Sequence, residues 1–396
     1  MAIRTKLRLE QRVQHAAELM QQFAERTRIE QGGPEARRYL WTDSFAVCNF
    51  LSLQRATGEP RWERLALRLV DRVHATLGRH RPDDPRKGWI SGLPELEGRA
   101  HPTRAGLRIG KPLPERRASE PADPRIEWNR DGQYFHYMTR WMHALTRVSI
   151  ETGRQEPLAQ AIELAEAGHH GFVVRDQDGG MRMRWKMSID LERPIVASMG
   201  QHDALDGWTT GMEALGVAQR LHSEADVGGL AAAVRDWRVI SSRVDPSTTD
   251  PLGIGTVLTC AGFVAQWLAR GEGVAPQELE ALVRSAARSL DLLIQSEALT
   301  QPATHRLPFR EIGLGIGLRA LPHVLRALHR RDLTARTRIA IDDALTALQE
   351  HEPRADEIEH DWLDSSHHAL PSWFQHLDIN TVMLATSLLP TVFLEA

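Results

Sequence analysis

GIGTVLTCAGFVAQWLARGEGVAPQELEALVRSAARSLDLLI, residues 253–294, holds two helical patterns of opposite character joined by a short turn. Over 253–269 small and apolar side chains fall on every face, with no charge before Arg270. A helix of that kind must be buried on most sides. Over 278–294 the residues Leu279, Leu282, Val283, Ala286, Leu290, Leu293 and Ile294 recur every three or four positions, and Arg and Glu cover the opposite face. That periodicity predicts an amphipathic helix with one dry side. The turn RGEGVAP (270–276) supplies glycine to stop the first helix and proline to start the second.

The same pair recurs along the chain. Amphipathic patterns occupy about 7–30, 62–77, 156–170, 225–242 and 333–350. Apolar, charge-poor patterns occupy 45–53, 132–148, 207–218, 312–325 and 377–389. Six buried helices therefore alternate with six amphipathic ones. This predicts an all-α fold, an (α/α)6 barrel of six helical hairpins in a single domain over 1–396, with an inner ring and an outer jacket. An open helical solenoid is the alternative, and hairpin spacings of about 50 to 75 residues are irregular for one.

Links from inner to outer helices are short: ATGEP (56–60), ETGRQEP (151–157), HSEAD (222–226), RGEGVAP (270–276) and HRRD (329–332). Links from outer to inner are longer: 31–43, 80–131, 171–206, 243–252, 298–310 and 351–373. In a closed ring the long links share one rim, with 80–131 and 171–206 as its main insertions. Trp41, Trp89, Trp128, Trp185, Trp208, Trp362 and Trp373 fall in or beside them, and large amphipathic rings in polar loops mark a binding cleft. MRMRWKMSI (181–189) alternates as a strand would.

The acids of these links are the candidate catalytic groups. HDALD (202–206) carries His202, Asp203 and Asp206; HDWLD (360–364) carries His360, Asp361 and Asp364. In a six-membered ring the third and sixth inner helices face each other, so the two stretches could share a site. Asp131 and Glu311 complete the candidate acids. Trp41, Asp43, Glu127, Trp128, Arg130, Tyr134, His136, Lys186, Trp208, Arg310, Trp362, His367 and Trp373 are candidate substrate-binding groups, with His202 and His360. Asp43 and Asp131 also suit helix N-caps. Aromatic faces with converging carboxylates suit carbohydrate, and an inverting glycoside hydrolase needs two acids about 6.5–9.5 Å apart.

Hairpins such as ATGEPRWERLALRLVDRV (56–73) resemble those of the six-hairpin glycosidases and the N-acylglucosamine 2-epimerases. The resemblance is one of architecture; it implies the (α/α)6 toroid and a carbohydrate-active enzyme. A glycoside hydrolase or phosphorylase is the first expectation. A sugar epimerase or isomerase using His136, His202, His360, His367 and His368 as acid–base groups is the alternative. A divalent-metal enzyme and a non-enzymatic scaffold are the others, and no cofactor is called for.

The basic stretch LEGRAHPTRAGLRIGKPLPERR (96–117), with Lys186, raises an anionic substrate such as a uronate or sugar phosphate. A net charge of −3, with no basic face or module signature, excludes a nucleic-acid partner. Two cysteines exclude a Cys-rich zinc module and fit a reducing compartment. The N-terminal stretch has no signal-peptide pattern and no segment reads as a membrane span, so a cytoplasmic protein is expected. GLGIG (313–317) lies in a helical pattern, so its glycines serve close helix approach, not dinucleotide binding.

Overall fold

A computed structural model describes residues 7–33, 36–328 and 334–396; the expected turn at 329–332 lies outside the described residues. The fold is all-α: among the described residues, helices of the amphipathic pattern, termed outer, alternate along the chain with helices of the apolar pattern, termed inner. The outer helices are α1 (Leu9–Arg26), α3 (Pro60–Leu77), α5 (Glu156–Phe172), α7 (Gly228–Ser241), α9 (Pro276–Gln295) and α12 (Ala335–Glu350). The inner helices are α2 (Leu40–Thr57), α4 (Phe135–Thr152), α6 (Asp203–Arg220), α8 (Pro251–Arg270), α10 (Pro308–Leu318) and α14 (Leu377–Leu388). Contacts divide the chain into two compact units: Met1–Phe23, Ser52–Gly58 and Asp245–Ala396 in one, Ala24–Leu51 and Glu59–Val244 in the other.

In the first unit α8 packs on both α9 and α10, α10 packs on α14, and α9 packs on α12. Inner helices thus meet inner helices and outer meet outer. The contact between α8 and α10 is made by backbone. A Cβ on Gly255 would lie 2.0 Å from the Gly313 carbonyl oxygen, and one on Gly317 would lie 2.5 Å from the Gly255 Cα. The glycines of GLGIG therefore serve close helix approach. By length and composition α8 is apolar enough to cross a membrane, against the expectation that no segment is; 83% of that stretch is buried.

Two departures from the periodic pattern lie here. The fifth inner segment breaks at Arg319–Ala320 and resumes as α11 (Leu321–Leu328), because Pro322 has no N–H to donate into the preceding turn. The link 351–373 holds a further helix, α13 (Arg354–Leu363). The two features are joined by charge. Glu359 of α13, with no exposed surface, accepts from Arg12 at 2.8 Å, from Arg319 at 2.7 Å and from the Ser387 hydroxyl at 2.7 Å. Two guanidiniums and a hydroxyl offset the cost of burying one carboxylate.

In the second unit α4 packs on both α5 and α6, and α6 packs on α7. Phe135, Phe172 and Trp237 form its aromatic centre, with ring centroids 5.5 and 5.3 Å apart. Gly207 leaves room for it: a Cβ there would lie 2.8 Å from the Trp237 ring. The stretch 181–189 is not one strand. β2 (Val173–Arg175) pairs antiparallel with β3 (Met181–Met183) as a hairpin. After a break at Arg184–Trp185, β4 (Lys186–Met187) pairs with β1 (Gln133–Tyr134) and β5 (Pro194–Val196). The second long link is thereby sewn to the start of α4.

Replacing Gly255 by Ala drives a methyl into the Gly313 carbonyl, and overpacking of this kind typically costs about 1–3 kcal/mol. Urea unfolding should show Gly255→Ala destabilised by at least that amount. Gly262→Ala, whose Cβ would meet the Ala320 methyl at 3.0 Å, should lose less. Equal stability of Gly255→Ala and the parent would contradict the backbone contact.

Candidate active site

The starts of α2, α4 and α6 come together in the second unit, and the facing sides of α4 and α6 carry a column of charge. His136, Arg140, His143 and Arg147 lie at intervals of four, three and four on α4, which places them on one helix face. Asp203, Asp206 and Glu213 oppose them from α6. Arg140 donates to Asp206 at 3.0 Å, His143 lies 2.6 Å from Glu213, and Arg147 lies 3.7 Å from the same carboxylate. These groups are buried, and each has an opposite charge or a hydrogen-bond partner, as burial requires.

The uppermost rung is different. His136 Nδ1 stands 3.8 Å from Asp203 Oδ1, beyond a hydrogen bond, and that nitrogen has no hydrogen-bond partner. Asp203 is buried, its side chain 5% exposed, and its carboxyl accepts at 3.1 Å from the Gly200 N–H. Gly200 is required there, since a Cβ would lie 2.5 Å from the carboxyl oxygen. Burial, and then the negative charge of Asp206, push Asp203 up to about 8. Burial, and then the positive charge of Arg140, pull His136 down to about 3. At neutral pH a carboxylic acid that keeps its proton stands beside an imidazole that lacks one.

Aromatic rings wall this pair. Tyr134 stacks on His136 at 5.4 Å and on Trp185 at 5.4 Å; Trp128, 56% exposed, meets Trp185 edge-on at 5.2 Å. On the other side Trp41 lies 5.8 Å from His136 and 5.3 Å from Tyr137, and its buried indole N–H has no acceptor. The Tyr137 hydroxyl is hydrogen-bonded to that of Tyr39. Burial pushes the phenols of Tyr39, Tyr134 and Tyr137 above the ordinary tyrosine range, so all three stay protonated.

Several candidates of the second unit hold loops. Asp131, with no exposed surface, accepts from the Gly110, Lys111 and Gly132 N–H groups at 3.0, 3.4 and 3.1 Å. It also takes Arg108 at 2.5 Å and Arg81 at 3.5 Å. Lys186 is fully buried and donates to the Glu127 carboxylate and to the Glu127 and Arg130 carbonyls at 2.8–2.9 Å. Arg130 pairs with Glu120 at 3.0 Å. Asp43 lies inside the first turn of α2, where it accepts from the Tyr39 N–H at 3.0 Å and pairs with Arg38 at 3.5 Å; neither it nor Asp131 is an N-cap, that of α4 being Tyr134. Half-buried His202 is the N-cap residue of α6, and Trp208 lies on that helix beneath Arg238 at 5.4 Å.

The first unit contains the remaining candidates. Arg306 binds Glu311 at 2.5 Å and Asp361 at 2.8 Å, and Glu311 also accepts from the Trp362 indole at 3.0 Å. Trp362 stacks on Trp373 at 6.1 Å, and His368 stacks on Trp373 at 4.1 Å. His360 and His367 contact backbone carbonyls at 2.9 and 2.7 Å, and Arg310 pairs with Asp250 at 2.7 Å. Among the described residues, no group of three or more His, Cys, Asp or Glu side chains is disposed to hold a metal ion. Arg140, His143, Arg147 and Glu213 were not candidates, although the four-three-four spacing of basic residues in an apolar helix was there to be read.

No family model matches the chain, and no curated protein matches it. Among solved structures it is similar to cellobiose 2-epimerase from Spirochaeta thermophila DSM 6192, at 10% identity and a TM-score of 0.46. That likeness covers 86% of this chain and 98% of that one.

The raised Asp203 fixes a sign. Between about pH 4 and about 8 the folded chain keeps this proton while the unfolded chain has lost it. The ionisable carboxyl therefore costs stability that is absent below about pH 4 and fully felt above about 8. Asp203→Asn removes that cost. Its melting temperature should match the parent near pH 4 and exceed it at pH 8, in calorimetry at both values. A difference independent of pH would contradict the assignment.

Proposed function

We propose that the chain is a carbohydrate-active enzyme that moves a proton at a sugar carbon next to a carbonyl, epimerising or isomerising its substrate. The observation that carries this reading is Asp203 holding a proton beside neutral His136. The exposed Trp128 and the half-buried Trp185 beside it offer aromatic surface to the C–H faces of a sugar.

His136 takes the proton from the carbon beside the carbonyl of the open-chain sugar, as Asp203 gives its own proton to the carbonyl oxygen. The C–H electron pair becomes the double bond of an enediol. The two transfers support each other. Once Asp203 has lost its proton, its negative charge 3.8 Å away stabilises the imidazolium that forms. In the reverse steps the enediol hydroxyl returns its proton to Asp203 and His136 returns its proton to carbon. Return to the same carbon, after the enediol has turned its other face to His136, gives the epimer; return to the neighbouring carbon, with the hydroxyl of the first carbon giving its proton to Asp203, gives the isomer. Such pairs contribute about 10²–10⁴-fold.

Glycoside hydrolysis is the second reading. Asp206 is itself a cause of the raised Asp203, so a carboxyl that keeps its proton has a second carboxyl near it, and glycoside hydrolysis needs two. In its favour are those two acids; against it, Asp206 binds Arg140 at 3.0 Å.

Incubation with reducing sugars in D2O, followed by proton NMR, separates the readings. The proposed reaction places deuterium at the carbon next to the carbonyl and generates the epimer or ketose. Asp203→Asn and His136→Asn should each lower the rate by about 10²–10⁴-fold while remaining folded. Release of new reducing ends from glycosides, without deuterium incorporation into any sugar, would replace this reading with the hydrolase.

A further inference from the structure

The stretch 96–117 is rich in positive charge, and in the structure most of that charge is either answered or left to solvent. Arg108 binds Asp131 and the Arg79 and Thr76 carbonyls at 2.5–2.7 Å. Arg116 binds Glu127 and the Ile195 carbonyl at 3.2 and 3.0 Å. Arg99, Arg104 and Arg117 are exposed.

Lys111 fits neither class. It is half-buried, and its ammonium lies 4.9 Å above the Tyr39 ring. No acceptor among the described residues binds that ammonium. Its backbone, by contrast, is fastened on both sides: the N–H to Asp131 at 3.4 Å and the carbonyl to Arg81 at 2.7 Å. Gly110 beside it has a φ of +92, and a Cβ there would lie 2.1 Å from the Arg38 carbonyl oxygen, so the chain turns here as a side chain would not allow. The acid whose charge reaches Lys111, Asp131, is already filled by three N–H groups and two arginines. Burial, and then the charge of Lys186, hold the Lys111 ammonium below the ordinary lysine range.

A half-buried cation on a rigid mount with no counter-charge is a cost that a bound anion would relieve. Its place tells which anion. The Tyr39 hydroxyl bonds that of Tyr137, and the Tyr137 ring lies 4.7 Å from His136, so Lys111 stands along the phenol wall of the same site.

We propose that Lys111 is the anion-binding group of this site, so that the substrate is a sugar bearing a carboxylate or a phosphate rather than a neutral sugar. Lys111 binds the anionic group against the Tyr39 face while the carbonyl end lies at His136 and Asp203. The inference rests on the sugar reading of the site above, and Asp131 serves it as a positioning residue through the backbone of 110–111.

Isothermal titration of the full chain with D-glucuronate, D-glucose 6-phosphate and D-glucose tests this, in the parent, Lys111→Met and Lys111→Arg. One of the two anionic sugars should bind about ten- to a hundredfold tighter than glucose, as a charge-assisted hydrogen bond is worth. The stronger of the two identifies carboxylate or phosphate. Lys111→Met should lose that advantage, keep its glucose affinity, and melt no lower than the parent, since it removes an unanswered charge; Lys111→Arg should retain part of the preference. Anionic sugars that bind no tighter than glucose, or a preference that survives in Lys111→Met, overturn the proposal. Lys111-dependent binding without deuterium incorporation from D2O would leave the anion site standing and remove the epimerase reading. Deuterium incorporation with no charge preference would do the reverse.

Discussion

The second unit depends on how two inner helices tolerate a seam of charge between them. The helices α4 and α6 meet inside a layer that is otherwise apolar, yet seven ionisable groups lie along the contact. Burying them is tolerable because Arg140 meets Asp206, and His143 and Arg147 meet Glu213. The pairing fails at the top, where His136 and Asp203 stand too far apart to bond. There the same burial that is offset below shows itself as an acid held protonated and a base held neutral. The proposed chemistry lies where the seam is incomplete, above the closed rungs.

The helices were legible because apolar period and helix punctuation act locally. Among the described residues a helix lies over each of the twelve segments read from the sequence, with the glycine stop and proline start between α8 and α9. What was not legible follows from contacts distant in sequence. The break at Arg319 is set by Pro322 and joined to Glu359, forty residues on. The strand at 181–189 divides because one part pairs with its neighbour in a hairpin and the other with the entry to α4.

For the site, residue type identified candidates without identifying their partners. Asp203, Asp206 and His136 could be named from their place at helix starts, but Asp131, Glu311 and Lys186 were named from the same links and helix entries, and their charges are each answered by a neighbour. Arginine partners such as Arg108 and Arg306 arrive from links whose path no periodicity describes. The lower rungs of the seam were passed over for a different reason. In GQYFHYMTRWMHALTRV (132–148) the apolar content dominates, and four basic residues on one face are visible when the helix is viewed down its axis.

The central claim is that Asp203 and His136 keep opposite protonation habits from their free forms. It is tested most directly by NMR titration of protein labelled with ¹³C at aspartate and ¹⁵N at histidine, with Asp203→Asn and His136→Asn assigning the signals. The account predicts a carboxyl resonance that moves with a midpoint near pH 8, and an imidazole that stays neutral to the acid limit of the folded state. An Asp203 carboxyl already ionised at pH 5, with His136 titrating near 6.5, would contradict it.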